Sequence, residues 1–507
     1  MNQYFFICLI LVVFWCNRLN AQTSDYIEGK VINGYTSEPI PFACILLIKN
    51  KLGIYANAEG DFRISQKTQL RSDSLLLTCI GYKSLSISLA SLNVNEVNII
   101  PLIPLAHIFD DVTVVAHSKI LGSTTIISRA IKNIRKNFPE TSYSYISYYR
   151  DYQKSEKEYF NLNEAIVQTL DNGFKTSSKA NMYRLLDYKK NTNLTRLNIS
   201  PYYDTIGQFN KTIPKARLGD QYGNELFVLM VHDAIRNYNA RSFSFINIFS
   251  KDFLDNHDFS KPELTFSNDV KLYKIQFTAK HFILGDSLSA NGTIFIQPSD
   301  YSIHKLEYAC QYLKPPKVKK DIFHITIEYG YESAINKIMH LKYISFNNSF
   351  SITDQDDTTY FRIKDSKWNS QSVSSVIILT FNKLIDSKTA LNKDNYTILT
   401  GNKKAEIKNI VVNRAMLFIT LKGSNLKLSS ASITLKNLKD INGNILNKKK
   451  EIEFNQFREL FVQEYNRKLA FRDSCFMEQL PIEDNCISHE SVPGKYWMNT
   501  PKYFTIK

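Results

Sequence analysis

Over most of residues 143–364 the pattern is strand-like, with apolar side chains at alternate positions, and this period constrains the fold more than any other feature of the chain. Tyr273, Ile275 and Phe277 alternate with Lys274, Gln276 and Thr278. Phe323, Ile325 and Ile327 alternate with His324 and Thr326, and Met339, Leu341 and Tyr343 with His340 and Lys342. Successive side chains of a strand point to opposite faces, so the pattern predicts an antiparallel sheet with one face on a core and the other wet. Residues 292–296 followed by 301–303 read as a hairpin within it.

Two stretches switch to the helical period. Ile126, Ile127, Ala130, Ile131, Ile134 and Phe138 share one face, with Arg129, Lys132, Arg135 and Lys136 on a solvated face, Ser123 or Thr124 as cap and Pro139 as stop. Residues 224–238 do the same through Leu226, Phe227, Met230, Val231, Ala234, Ile235 and Tyr238. Together these elements make a central domain over 121–365, an antiparallel sheet with covering helices. A wide meander of this kind is similar to the half-barrel of lipoprotein carriers.

The N-terminal part is punctuated differently. Gly29, Gly34, Gly53, Gly60 and Gly81 separate short runs rich in Val, Ile, Leu and Phe, as turns separate strands. Residues 57–62 read as a hairpin in which Gly60 supplies a positive φ, and the apolar run 74–78 as a strand covered on both faces. In order come a strand at 27–32, Pro39-Ile40-Pro41-Phe42-Ala43, Ala58-Glu59-Gly60-Asp61-Phe62 and Ile80-Gly81-Tyr82. That order resembles the carboxypeptidase-regulatory-like domain, a transthyretin-type β-sandwich that follows the signal peptide in many secreted bacterial proteins. The resemblance implies a module over 25–106, an address in a bacterial envelope and an accessory role without an activity of its own. Residues 109–115, Phe109-Asp110-Asp111-Val112-Thr113-Val114-Val115, are similar to the stretch that joins this sandwich to the plug and barrel of TonB-dependent receptors. A barrel of about 22 strands does not fit in the roughly 390 residues that follow, so 107–120 is read as a linker.

The start of the chain predicts an exported address from its own pattern. Residues 5–16 form an apolar run too short to span a bilayer, followed by Ala21, which predicts a signal peptide over 1–21. No later segment reaches the roughly 18 apolar residues of a membrane helix. The formal charge of +15 becomes +14 once Arg18 leaves with the leader. Its lysines are scattered, and an exported chain has little access to nucleic acid, so no nucleic-acid partner is expected. Cys8 and Cys16 leave too, and of the seven cysteines Cys44, Cys79, Cys310, Cys475 and Cys486 remain. An odd, irregularly spaced set is not a disulfide framework, although Cys475 and Cys486 are near enough in sequence to bridge and equally consistent with free thiols.

Toward the C-terminus, residues 376–383, Asn395-Tyr396-Thr397-Ile398 and Leu438-Lys439-Asp440-Ile441-Asn442-Gly443-Asn444 look like a bacterial Ig-like domain over 370–455, a spacer or adhesive module in such proteins. A tail over 456–507 begins with Phe457-Arg458-Glu459-Leu460-Phe461-Val462-Gln463-Glu464, read as helical.

Three constellations invite a chemical reading. His304 and Glu307 have the H-x-x-E spacing of a zinc site, but on a strand residues three apart point to opposite faces unless a bulge intervenes. Asp440, Asn442, Asn444 and Glu451 stand at the first, third, fifth and twelfth positions of a calcium loop whose sixth position is Ile445 where glycine is needed; an Asx-rich turn explains them better. His232-Asp233 and His257-Asp258 lack the Gly-x-Ser-x-Gly elbow or phosphate loop that would accompany them in an enzyme. No catalytic, cofactor or metal residue is assigned. The expected protein is mainly β and multidomain: a transthyretin-like sandwich, a half-barrel-like central sheet and a C-terminal Ig-like sandwich. Its expected role is non-catalytic binding or scaffolding in the periplasm or at the outer surface, with an envelope protein, glycan or lipid as partner. A lipid or lipoprotein carrier with an apolar central cavity, and a hydrolase with a site in the central domain, are the alternatives.

Overall fold

The computed structural model describes residues 26–66, 72–105, 121–155, 158–190, 225–241, 246–267, 270–281, 288–312, 321–331, 337–353, 360–370, 375–401, 403–423, 431–448, 451–466, 475–478, 480, 482–488 and 496–500. The leader over 1–21 and the linker over 107–120 lie outside them.

The N-terminal module holds β1 (Tyr26–Asn33), β2 (Cys44–Leu47), β3 (Leu52–Tyr55), β4 (Asp61–Ser65), β5 (Ser74–Thr78), β6 (Leu85–Ser88) and β7 (Asn98–Leu102). They form two sheets in the orders β4-β1-β7 and β3-β2-β5-β6, with β1 and β7 parallel. Alternate residues turn inward, so Ile27, Val31 and Ile64 of one sheet meet Ile45, Leu47 and Leu75 of the other. The turn over 57–61 is not a hairpin: it is a corner that carries the chain from one sheet to the other. Asn57 Oδ1 accepts from the backbone of Glu59 (3.0 Å) and Asp61 (2.7 Å), and Gly60 sits at φ 77°. A Cβ at Gly60 would stand 2.5 Å from the Val31 carbonyl oxygen, which is why glycine is required there. Strand β5 is buried on one face only, through Leu75 and Leu77; the predicted two-sided burial is corrected.

The central domain begins with α1 (Ser123–Asn137), β8 (Tyr143–Ser155), β9 (Glu158–Asp171) and β10 (Met182–Lys190). It continues with α2 (Glu225–Val231), α3 (Phe249–Asn256), β11 (His257–Phe259), β12 (Glu263–Ser267), β13 (Val270–Ala279), β14 (Leu288–Ile296), β15 (Ile303–Tyr312), β16 (Asp321–Tyr331) and β17 (Met339–Thr353). Gly122 rather than Ser123 or Thr124 is the α1 N-cap, and Ser123 Oγ donates instead to the Ser260 carbonyl. The second helix stops at Val231, short of the predicted Tyr238, because Asp233 Oδ1 accepts from the backbone N–H groups of Ile235 (3.0 Å) and Arg236 (2.9 Å) and starts a new turn.

A second compact unit, Ser351–Phe454, interrupts this domain. It contains β18 (Ile363–Ser370), β19 (Ser375–Phe381), α4 (Ser387–Ala390), β20 (Tyr396–Thr400), β21 (Lys403–Lys404), β22 (Ile407–Asn413), β23 (Met416–Leu421) and β24 (Ala431–Leu435). Its sheets run β18-β19-β23-β22 and β21-β20-β24 around Ile377, Leu379, Tyr396, Leu417 and Ile419. Because β18 pairs with β19, the unit starts before the predicted boundary at residue 370.

The chain then returns to the first unit as β25 (Glu451–Asn466), and here the predicted helix over 457–464 is overturned. The central sheet has eleven strands in the order β10-β9-β8-β25-β17-β16-β15-β14-β13-β11, with β12 also on β13. Thus β25, the last strand in sequence, lies between the β8–β10 meander and the β11–β17 meander. Both its faces are covered. Leu460 and Val462 join Ile126, Leu229, Phe253 and Leu306 under the helices. Phe461 lies on the opposite face with Tyr148 and Tyr343, against the N-terminal module; Tyr55 stacks on Tyr343 at 5.3 Å and Phe42 at 5.4 Å. The face predicted to be wet is therefore dry over this part.

A short C-terminal segment, residues 496–500, is buried between module and sheet. Asn499 Nδ2 donates to the Tyr55 carbonyl (2.9 Å) and Trp497 Nε1 to that of Arg63 (3.1 Å). Arg63 Nη2 donates to the Met498 carbonyl (2.8 Å), and Thr500 Oγ1 lies 2.7 Å from Glu164 Oε1.

Candidate functional site

The histidines singled out above are all held by internal partners. His232 stacks on Phe346 with ring centroids 3.8 Å apart, and burial, reinforced by Arg458, lowers its pKa to about 3. Its neighbour Asp233 turns the other way, accepts from Tyr329 Oη at 2.6 Å, and is raised by burial to about 6. His257 bridges the end of α3 to the sheet: Nδ1 lies 3.0 Å from the Phe253 carbonyl and Nε2 2.9 Å from Tyr308 Oη, while burial lowers it to about 4.

His304 occupies a bulge, where the β14–β15 register slips between Phe295 and Ile296. Its Nε2 lies 3.1 Å from Gln297 Oε1 and 3.3 Å from Ser302 Oγ. Glu307 is engaged by Lys305 Nζ at 2.9 Å, which also meets Glu328 at 2.9 Å. Among the described residues no three His, Cys, Asp or Glu side chains converge as metal ligands. In the 440–444 turn Asp440 Oδ1 accepts from the backbone of Asn442 and Asn444, each at 2.9 Å, and Oδ2 from Asn444 Nδ2 at 2.7 Å, so the carboxylate closes an Asx turn. The Glu451 side chain lies outside the described residues.

A recess with mixed donor, acceptor and aromatic chemistry lies elsewhere, on the face of the sheet that also carries Lys305 and Glu307. A groove of about 410 Å³ crosses β15, β16, β17 and β25. Cross-strand pairing builds its floor: Ala309 stands opposite His324, which stands opposite Asn347, and Gln311 opposite Asp321. Ala309 is the smallest side chain in that row, so the floor dips there. Burial holds the His324 imidazole below its ordinary pKa, so the ring is neutral at pH 7. Gln311 Nε2 donates to Asp321 Oδ1, and Ser349 Oγ to Asn455 Oδ1, at 2.5 Å each. Asn347 Oδ1 is buried and has no hydrogen-bond partner. The far wall is Phe457, whose ring stacks on Tyr152 at 4.8 Å and 11°. The set offers donors, acceptors and an aromatic face, and among the described residues the lining contains no Lys or Arg.

Sequence reasoning missed this groove. His324 was visible as the polar partner in an alternating strand, but Asn347 and Asn455 are separated by the whole inserted unit, and nothing local brings them together. Between helices and sheet Ile126, Leu229, Phe253, Ile294 and Leu306 belong to one buried apolar layer.

A smaller cavity of about 60 Å³ lies between module and sheet, lined by Cys44, Cys79, His304 and Glu328 among others. Burial pushes the two thiols up to about 11 and about 12, which makes them poor nucleophiles. Cys475 and Cys486 are joined as a disulfide with Cα atoms 6.2 Å apart.

No curated protein matches the chain. Among solved structures, a DUF1329 family protein from Desulfovibrio piger is similar at 8% identity and TM-score 0.22, over 45% of this chain and 87% of that one. A LolA superfamily protein from Nitrosomonas europaea is similar at 9% identity and TM-score 0.18, over 45% and 86%. MucB, solved in complex with MucA, is similar at 8% identity and TM-score 0.15, over 62% and 99%. At such scores the likeness is too remote to assign a function. Residues 27–114, which include the N-terminal module, match the family described as CarboxypepD_reg-like domain, and this part of the chain is similar to that domain.

Proposed function

We propose that this protein is an exported, non-catalytic component of a bacterial envelope that binds a ligand through its central sheet domain, with the inserted unit as an Ig-like spacer. The observation that carries the reading is the contrast between spent and available side chains. The His and Asp residues with catalytic potential are committed to internal partners, whereas the groove across β15–β17 and β25 offers amides, a neutral imidazole and an aromatic face to a visitor. The apolar leader and the Cys475–Cys486 bridge favour an oxidising compartment. The test has two parts. Fractionation with N-terminal sequencing should give an envelope protein starting near Gln22, and Met1 intact in a cytosolic fraction would refute export. Ligand screening by thermal shift should give a stabilising compound whose effect is lost when Ala309 is replaced by Trp.

A carrier of lipid or lipoprotein is the second reading, favoured by α1, α2 and α3 lying on one face of a wide antiparallel sheet. Mass spectrometry of an organic extract of the purified protein decides it: a stoichiometric lipid supports a carrier, and a lipid-free extract from protein made in its native envelope argues against one.

A further inference from the structure

We infer that the groove accepts an uncharged, hydroxyl-rich glycan; the inference rests on the binding role proposed above and names the ligand class. Charge comes first. Among the described residues no lysine or arginine lines the groove, and its one ordinary charge is the Asp321 carboxylate. The nearby Lys305 ammonium is already matched by Glu307 and Glu328. An anionic ligand would need a cation that the described lining does not supply.

Hydrogen-bonding capacity comes next. Side-chain amides both donate and accept, as a sugar hydroxyl does, so Asn347, Asn455 and Gln311 can satisfy each hydroxyl in both senses. Asn347 lines the groove and its covered Oδ1 has no hydrogen-bond partner, so a hydroxyl donor reaches it by a small shift of the amide, whereas a lipid chain laid there leaves it unpaired. Phe457, fixed from behind by Tyr152, presents the flat apolar surface on which the C–H face of a pyranose packs.

An extended peptide fits less well. Peptides commonly bind sheets by adding a strand at an edge, where backbone groups are free. This groove lies on the face of paired strands, β15 with β16 and β16 with β17, whose backbone ladders are already engaged. Only side chains are on offer, which suits a ligand recognised by its hydroxyls.

Three probe classes test this on the full-length mature protein by calorimetry: neutral hexose and pentose oligosaccharides of four to six units, a tetrapeptide library, and vesicles of zwitterionic phospholipid. Two variants accompany the wild type. Ala309→Trp fills the dip in the floor without removing a polar group, and Asn347→Ala removes the orphan acceptor, a change that should not lower stability. The expected result is binding of a neutral oligosaccharide, weakened at least tenfold in Asn347→Ala and abolished in Ala309→Trp, with both variants melting like the wild type. Peptide or vesicle binding that Ala309→Trp abolishes, with no sugar bound, overturns the glycan assignment and leaves the groove as the site. Sugar binding indifferent to both variants overturns the groove. No binding by any class overturns this inference and the binding role together.

Discussion

Arg150 Nε and Glu459 Oε2 are 2.6 Å apart across β8 and β25, 309 residues distant in sequence, and neither side chain reaches solvent. Tyr343 Oη donates to the other Glu459 oxygen at 3.0 Å, and the Arg150 guanidinium lies 4.9 Å from the centre of the Phe461 ring. The pair ties the last strand of the sheet to the first. Removing one partner leaves a buried charge uncompensated, so Glu459→Gln should cost about 3–5 kcal/mol. The double change Arg150→Met, Glu459→Leu should cost less than the two single changes summed. Denaturant titration measures both, and a Glu459→Gln protein as stable as wild type would show that the pair does not tie the sheet together.

The buried 496–500 segment should be needed to hold the N-terminal module on the sheet. Trp497→Ala should lose about 3–5 kcal/mol from the vacated indole site alone. A chain ending at residue 495 should release the module as a protease-resistant fragment, separable from the remainder on a gel. Unchanged proteolysis after truncation would mean that the aromatic contacts of Tyr55 and Phe42 with Tyr343 suffice.

Asp151 makes stability depend on pH in an identifiable direction. Burial, then the neighbouring Glu225 carboxylate, raise its pKa from 3.8 to about 7, against the pull of Arg458 and of hydrogen bonds from Asn163 (3.0 Å) and Tyr149 (3.1 Å). Between those values the folded state keeps a proton that the unfolded state has lost, so this contribution is present at low pH and disappears as pH rises toward 7. The buried His257 and His304, both lowered to about 4, act in the opposite sense, losing stability as pH falls through the same range. Only a variant separates the two. Asp151→Asn should gain on wild type between pH 5 and pH 8, by about 2–4 kcal/mol. A constant difference across that interval would refute the assignment.

The Cys475–Cys486 bridge closes a short loop that also carries the backbone N–H of Ile482, which donates to Glu225 Oε2 on α2 at 2.8 Å. Its loss in Cys475→Ser should cost about 2–3 kcal/mol and loosen α2. A non-reducing peptide map should contain the bridged pair, and five alkylatable thiols in the native mature protein would contradict the bridge.

Residues 351–454 should fold when expressed alone. The unit has its own apolar core and its own sheets, and no cysteine falls within it. At roughly 100 residues it lies in the size range where a core suffices without staples. A cooperative melt with β-type circular dichroism is expected; a disordered fragment would mean that it depends on the rest of the chain.

What the sequence determined by itself was local: strand against helix period in β13 to β17 and α1, the order of turns in the N-terminal module, and the Asx turn at Asp440. Each follows from neighbouring side chains sharing one environment. Tertiary structure decided where two environments meet on one element. Residues 457–464 carry Arg458, Glu459, Gln463 and Glu464 among apolar neighbours and so mimic an amphipathic helix. They are a strand because Arg150 neutralises Glu459 and both faces are covered, one by helices and one by the N-terminal module. The groove belongs to the same category. Ala309, Asn347 and Asn455 acquire a joint meaning only when pairing brings their strands into one face, and register between strands so far apart in sequence is set by the whole sheet.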